Sequence, residues 1–88
     1  MRKGERYVIS FVSIHDVTKA ESRLRKAKLW CDMVPVPREI TSDCGMALMI
    51  MPRDVDQVVS IADEAKVRWD GMWARHKGGF RLLRSPQD

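Results

Sequence analysis

The chain has 88 residues, of which 44% are hydrophobic and 32% are charged, a balance typical of one folded domain with one core and not of a disordered segment. Its apolar runs are shorter than the roughly 20 residues that span a bilayer, and its N-terminus has no signal-peptide pattern, so we predict a cytoplasmic protein that does not engage a membrane. The net charge of +4 permits binding to nucleic acid or to an acidic partner but does not require it.

The first half of the chain predicts a strand, a helix and a second strand. Residues 7–12 are rich in β-branched and aromatic side chains and are apolar on both faces, which is typical of a central strand. Ser13 and Asp16 then form a capping pattern that predicts the start of a helix. The helix continues through an apolar stripe that comprises Val17, Ala20, Leu24 and Ala27. Residues 29–34 predict the second strand.

The second half predicts a strand, a helix and a strand. Residues 46–51 are a hydrophobic strand, which Pro52 ends because proline cannot continue the hydrogen-bond ladder. Asp54, with Gln57 three residues later, predicts the start of a second helix. The inward stripe of that helix comprises Val58, Ile61, Ala62 and Ala65. Residues 67–74 predict the last strand of the domain.

This order of elements predicts an α+β fold of the ferredoxin-like βαββαβ type. In that arrangement an antiparallel sheet carries both helices on one face and has its first and third strands at the centre. We expect residues 1–76 to form this single domain. Residues 77–88 are expected to form a C-terminal tail that follows a flexible glycine joint.

The segment between the second and third strands combines a stiff backbone with one thiol. Pro35 and Pro37 restrict themselves and the residues before them to extended conformations. The polar residues 41–43 then favour a turn, and Cys44-Gly45 leads directly into the third strand. Because Gly45 has no side chain, it leaves an approach to Cys44 open. We therefore predict that the Cys44 sulfur lies at the rim of the sheet.

These landmarks resemble those of the small bacterial selenium or sulfur carrier-like proteins. The likeness covers roughly residues 6–74 and rests above all on Pro35-Val36-Pro37-Arg38 followed by Cys44-Gly45. It implies a carrier, not an enzyme in the ordinary sense, in which Cys44 takes up a sulfur or selenium atom as a persulfide or selenopersulfide. Donating and accepting proteins are then the partners. We expect no cofactor and no metal, and the predicted supporting residues are Arg38, Gly45, Pro35 and Pro37.

A carrier thiol must ionise readily, because the thiolate is the nucleophile. The carboxylate of Asp43 lies directly before Cys44 and disfavours that charge, whereas a cation within ~4–6 Å favours it. Arg38 is the candidate cation, so we predict that the loop brings Arg38 close to Cys44. The structural alternative is that Cys44 is a half-buried packing residue at a strand edge.

The other residues with reactive or ligating side chains are predicted to be structural. Cys31 is expected in the core, too far from Cys44 along the hairpin for a disulfide. His15 is expected beside a helix cap and His76 on the surface. Methionines that alternate on a buried strand are more typical of packing than of soft-metal ligation: Met46, Met49 and Met51. The tryptophans are expected as core or edge cover: Trp30, Trp69 and Trp73.

Two other classes of function stay open. The ferredoxin-like sheet is also the framework of RNA-recognition domains, but residues 46–51 contain no aromatic side chain on which a base could stack, so nucleic acid is the less favoured partner. A regulatory or assembly module would instead pair a sheet edge with an enzyme, or with a second copy of the chain as a homodimer. An apolar C-terminal tail would suit that alternative.

Overall fold

The structure is a computed structural model that describes residues 6–40, 44–76 and 79–86. Within these ranges the chain forms five strands and two helices, with a single 3-10 turn at Pro52–Asp54. The elements are β1 (Tyr7–Phe11), α1 (Ile14–Lys26), β2 (Cys31–Pro35), β3 (Met46–Ile50), α2 (Val55–Glu64), β4 (Trp69–His76) and β5 (Gly79–Arg84). The protein is therefore an α+β protein, in which one helix follows β1 and the other follows the β2–β3 pair.

All neighbouring strands in the sheet are antiparallel, in the order β2-β3-β1-β4-β5. β1 lies at the centre, where Ile9 pairs with Leu48 of β3 on one side and with Met72 of β4 on the other. These three side chains are completely buried. The prediction that the first and third strands are central is confirmed, because their apolar residues have neighbouring strands on both sides.

Helix α1 begins where its cap was predicted. The Ser13 hydroxyl oxygen accepts a hydrogen bond from the backbone N–H of Asp16 at 3.3 Å. Val17 and Leu24 are buried against the sheet, but Ala27 is exposed, because it is the C-cap residue and the chain turns away at Lys28, whose φ is +61°. The predicted stripe is thus correct up to the last turn and wrong at Ala27.

Helix α2 begins at Val55 with Asp54 as its N-cap residue, so its predicted start is confirmed. The 3-10 turn comes first, and the Asp54 side chain makes no capping hydrogen bond, so the capping pattern of Asp54 and Gln57 is not formed. The buried residues of α2 include Val58 and Ala62, which join the same core as α1. Both helices therefore cover the face of the sheet that carries Ile9, which we call the helix face.

The predicted tail of residues 77–88 is the main correction. Its central part, Gly79–Arg84, forms β5, a strand antiparallel to β4, with Leu82 opposite Trp73 and Arg81 opposite Ala74. The reason is that Phe80 and Leu82, two positions apart with Arg81 between them, point to the same face and can pack beside β4. The sheet accordingly has five strands, not the four that were predicted for residues 1–76.

The second face of the sheet, which we call the open face, carries a smaller cluster. Val8 and Ala47 are buried there beneath Ile40, with Trp73 and Phe80 partly buried beside them. The Trp73 indole N–H donates a hydrogen bond to the Ser10 hydroxyl at 3.2 Å. A short stretch of the sheet is therefore covered without a helix.

The three tryptophans lie in three different environments. Trp69 is buried in the core of the helix face, whereas Trp73 is half-buried on the open face. Trp30 is 44% exposed, and the Arg6 guanidinium lies 5.1 Å from its ring centroid. The predicted edge or core role of the tryptophans holds for Trp69 and Trp73, while Trp30 is a surface residue. Among the described residues, no helix is both long and apolar enough to cross a membrane.

Candidate functional site

The site is built on the connection between β2 and β3, which we call the 36–45 loop. Pro35, the last residue of β2, pairs with Met46, the first residue of β3. One step further out, the backbone N–H of Val36 donates a hydrogen bond to the carbonyl of Gly45 at 3.0 Å. The loop is thus pinched at its base, which holds Cys44 and Gly45 beside the end of β2.

Ile40 anchors the far part of the loop to the open face. Its side chain is only 3% exposed and packs in the cluster with Val8 and Ala47. A tight turn precedes it, in which the Ile40 N–H donates a hydrogen bond to the carbonyl of Pro37 at 3.0 Å. Ile40 is the only large apolar side chain in residues 38–43, and that isolation is the signal by which the sequence could have indicated an anchor.

Gly45 turns the chain from the loop into β3. Its φ is +79°, in the left-handed region that residues with a side chain adopt only at a cost. Among the described residues other than its chain neighbours Cys44 and Met46, none has an atom within 4 Å of the place where a Cβ of Gly45 would stand. That Gly45 gives a donor access to the Cys44 thiol stays a prediction.

Cys44 lies on the other side of the sheet from Ile40. Its side chain is half-buried and packs against the core of the helix face, whereas Ile40 packs on the open face. Ile40 and Cys44 are therefore on opposite faces at the end of the sheet where β3 begins. That the Cys44 sulfur is accessible at the sheet rim stays a prediction.

The second cysteine has the opposite setting. Cys31 is buried in β2 and faces the helices. Burial raises the pKa of the Cys31 thiol, and the charges of Glu21 and Asp32 add to the rise against the opposing charge of Arg25. Cys31 pairs with Ile50, at the end of β3 remote from Cys44, and both cysteines are thiols. The predictions that Cys31 is a core residue and that the two form no disulfide are confirmed.

The end of the sheet that carries the loop is braced by a buried carboxylate. Asp16 accepts hydrogen bonds from the Ser13 hydroxyl at 2.7 Å and from the backbone N–H of Arg68 at 3.1 Å. The Arg68 guanidinium lies 3.3 Å from the same carboxylate. Burial alone would raise the pKa of Asp16, but these hydrogen bonds and the charge of Arg68 hold it below its usual value.

This brace ties α1 to β4 at the level of the site. Ser10 pairs with Ala47, and the next residue of β1, Phe11, pairs with Trp69 at the start of β4. The turn after β1 and the start of β3 are therefore at the same end of the sheet. Sequence reasoning found the cap formed by Ser13 and Asp16 but missed the part played by Arg68, because a contact between residues 52 positions apart leaves no local pattern.

The remaining predicted site residues lie along the loop. Pro37 is half-buried and supplies the carbonyl of the turn, and Arg38 is exposed in that turn. Asp43 lies outside the described residues. Pro35, Cys44 and Gly45 are brought together at the base of the loop, whereas the pairing of Arg38 with the Cys44 thiol stays a prediction. In the described part of the chain, no three residues of the types His, Cys, Asp and Glu come close enough to hold a metal ion.

Residues 6–74 match the model of a protein family described as "Putative Se/S carrier protein-like". The chain belongs to this family. The resemblance predicted from the proline segment and Cys44-Gly45 is thereby confirmed, and the matched region begins just before β1 and ends within β4. β5 lies beyond the region that this carrier-like family shares. Neither a curated protein nor a solved structure matches the chain.

Proposed function

We propose that the protein carries sulfur or selenium on Cys44 and passes it between a donating and an accepting protein. The observation that carries this proposal is the placement of Cys44 at the mouth of the 36–45 loop, half-buried and followed by a glycine with open space beside it. The description of the family to which the chain belongs names selenium and sulfur carriers, and the matched region of the chain includes Cys44.

The transfer is an exchange of one sulfur atom between thiols. The Cys44 thiolate attacks the terminal sulfur of a donor persulfide, R–S–SH, so that a new S–S bond forms and the donor's S–S bond breaks. The products are the Cys44 persulfide, which keeps the proton of the terminal sulfur, and the donor thiolate. An acceptor thiolate then repeats the step on Cys44. With a selenopersulfide donor, R–S–SeH, the transferred atom is selenium and the electron count is the same.

The geometry supports each part of this exchange. Attack on a sulfur atom needs an unobstructed line to the Cys44 Sγ, and the side of Gly45 offers space for the donor group. The core contact of Cys44 limits the rotation of its side chain, which keeps the sulfur at one place. Cys31 is unsuited to the role because it is buried and burial raises the pKa of its thiol.

Arg38 is assigned the supporting electrostatic role. It is an exposed cation on the same loop, so a small movement of the turn could bring its guanidinium toward a thiolate or persulfide anion at Cys44. Ile40 limits such a movement by fastening the loop next to Arg38. The neutral variant Arg38→Gln tests this role, and we expect it to slow the loading of Cys44 without lowering stability.

The first six elements are assigned to the ferredoxin-like arrangement. Their sequence order is β1, α1, β2, β3, α2 and β4, and their strands follow the spatial order β2-β3-β1-β4. In this assignment β5 is an addition at the free side of β4. The carrier site then belongs to the common frame, because it lies between β2 and β3.

Mass spectrometry of the intact protein tests the carrier proposal. The reduced protein is incubated with glutathione persulfide and, in a parallel sample, with glutathione selenopersulfide. We expect an added mass of one sulfur or one selenium atom, located on the peptide that contains Cys44, and its loss when a thiol acceptor is added. Cys44→Ala should abolish the addition.

Cys31→Ala is the matched control, because it removes the other thiol without burying a new polar group. It should load as the unaltered protein does. If Cys44→Ala loads equally well, or if the unaltered protein takes up neither atom, the carrier function of Cys44 is wrong.

A further inference from the structure

Strand β5 is an unpaired edge that the family model does not include. Among the described residues its one strand neighbour is β4, and the matched family region ends at residue 74, before β5 begins. An edge strand presents a row of backbone N–H and C=O groups that another strand can pair with. The outer side of Gly79–Arg84 is therefore available for the addition of a strand.

The two edges of the sheet differ in how well they are protected. β2, at the opposite edge, ends in Pro35, which cannot donate to a ladder, and carries an exposed acidic residue, Asp32. β5 contains no proline and has two exposed apolar side chains, Leu82 at 49% and Leu83 at 36%. The edge formed by β5 is the one that favours pairing.

The side chains of β5 divide between the two faces of the sheet. Phe80 and Leu82 lie opposite Arg75 and Trp73, on the open face. Arg81 lies opposite Ala74. The register shifts at Leu83, which has no residue opposite it on β4, so Arg84 lies opposite Met72 and both arginines are on the helix face. An added strand would therefore meet apolar side chains on one face and guanidinium groups on the other.

The charge at this edge is positive. Arg81 is exposed. The Arg84 guanidinium lies 3.8 Å from the carboxylate of Asp56, which is fully exposed. Such a pair is weak, because both charges stay in contact with water. The neighbouring strand β4 carries an exposed carboxylate of its own, Asp70. An incoming strand with acidic residues toward the helix face complements the arginines.

The same charge argues against a second copy of this chain as the occupant. In the register that places Leu82 of one copy opposite Leu83 of the other, Arg81 would lie opposite the other copy's Arg84. Like charges directly opposite each other on paired strands are destabilising. When two β5 strands pair, the arginines of both copies lie close together on two adjacent strands and repel one another. A strand with acidic residues would instead neutralise them.

We propose that the β5 edge binds an extended segment of another protein as a sixth strand, in which acidic residues toward Arg81 and Arg84 alternate with apolar residues toward Phe80 and Leu82. The backbone pairing supplies a part of the affinity that does not depend on the sequence of the segment, and the alternation supplies its specificity. This surface is distinct from the Cys44 site, because β5 and β2 are at opposite edges of the sheet.

Fluorescence anisotropy with synthetic peptides tests this proposal. The probe is a fluorescein-labelled peptide of alternating glutamate and valine, and the control peptide alternates lysine and valine. We expect the glutamate peptide to bind and the lysine peptide not to bind. Reversal of both charges, in Arg81→Glu with Arg84→Glu, should weaken binding about tenfold or more, because two attractive pairs become repulsive.

The matched control variant is Arg23→Glu. Arg23 is an exposed arginine of α1, a helix whose main contacts with the sheet are to β1, β2 and β3. We expect it to bind the glutamate peptide as the unaltered chain does. A glutamate peptide that is N-methylated at alternate residues cannot pair as a strand, so we expect its binding to be lost.

Four outcomes overturn the proposal: no binding of the glutamate peptide, equal binding of the N-methylated peptide, a dimer of the chain in light scattering, or tighter binding of single-stranded RNA that is lost on reversal of the two arginines. Persulfide loading of Cys44 should be unchanged in the charge-reversed variant. Failure of the docking surface can therefore be told apart from failure of the carrier site.

Discussion

The two cysteines of this chain have opposite environments although only 12 residues separate them. Cys31 lies within a strand, under the helices, and its pKa is raised by burial. Cys44 lies in a loop at the end of the sheet, half in contact with the core and next to an open glycine. The two settings show that the element which carries a thiol decides how deeply it is buried, since the amino acid is the same.

The rate of alkylation is the strongest test of this difference. Under native conditions we expect iodoacetamide to modify Cys44 about a hundredfold faster than Cys31, because reaction at Cys31 requires an opening of the core that costs ~3 kcal/mol or more. Quantitative mass spectrometry of the two peptides measures both rates. In denaturant the two rates should converge, and equal rates under native conditions would remove the distinction.

Loss of the Ile40 anchor should have the next largest effect. Ile40→Ala removes a buried side chain that fastens the 36–45 loop, and we expect the free energy of unfolding to fall by about 2 kcal/mol, near the low end for such truncations because the cluster is small. Urea denaturation measures the change. The alkylation rate of Cys44 should also change, whereas that of Cys31 should not.

Ile14→Ala is the control for Ile40, since Ile14 is 53% exposed. We expect its effect on stability to stay within about 0.5 kcal/mol. If both variants lose the same stability, or if Ile40→Ala leaves the Cys44 rate unaltered, the loop is not held by this contact.

Asp16→Asn should cost less, about 1–2 kcal/mol, because the Ser13 hydroxyl and the Arg68 N–H bind different carboxylate oxygens, and asparagine keeps one acceptor oxygen but loses the second oxygen and the charge. The pKa of Asp16 is lowered in the folded state relative to its ordinary value of 3.8. Its contribution to stability is therefore complete above that value and is lost as the pH falls through the lower, folded pKa. The stability difference between the two proteins should shrink in this acidic range.

Denaturation followed from neutral pH to below pH 3.8 checks this prediction. The exposed carboxylate of Asp56 provides the comparison, and Asp56→Asn should change stability at neutral pH by no more than about 0.5 kcal/mol. A constant difference between Asp16→Asn and the unaltered protein over the whole range would mean that the charge of Asp16 does not matter.

The smallest effect is expected at the glycine beside Cys44. Gly45→Ala meets no atom, but its φ of +79° imposes a cost of about 1 kcal/mol on a residue with a Cβ. Gly79→Ala also meets no atom and lacks the positive φ, so it should be neutral or slightly stabilising. Thermal unfolding of the two variants compares them, and equal stability would show that the backbone at Gly45 is not strained by a side chain.

Much of this architecture can be predicted from the sequence because its signals are local. The nearly continuous apolar runs of β1 and β3 indicate strands with two buried faces, and the Ser13 cap marks the start of α1. β5 escapes prediction because its few apolar residues follow two glycines and gain their partners only from β4. Strand pairing of this kind depends on neighbours that a single segment does not show.

The candidate site, like the fold, can be predicted in part. The position of Cys44 at the sheet end follows from the proline segment before it and the hydrophobic strand after it. The anchor at Ile40 and the bond from Arg68 to Asp16 could not be predicted, because both depend on which face of the sheet the loop and the helix reach. Tertiary packing therefore decides the details that local patterns leave open.

Because the three tryptophans differ in their surroundings, the protein contains its own optical reporters. The Trp73 indole is held by Ser10 and lies beside Leu82 of β5, whereas Trp69 is enclosed by the core. Detachment of β5 would bring water to the Trp73 ring and leave Trp69 dry. A chain in which Trp30 and Trp69 are replaced by phenylalanine would thus show the state of that single strand through its emission wavelength, with no dye attached.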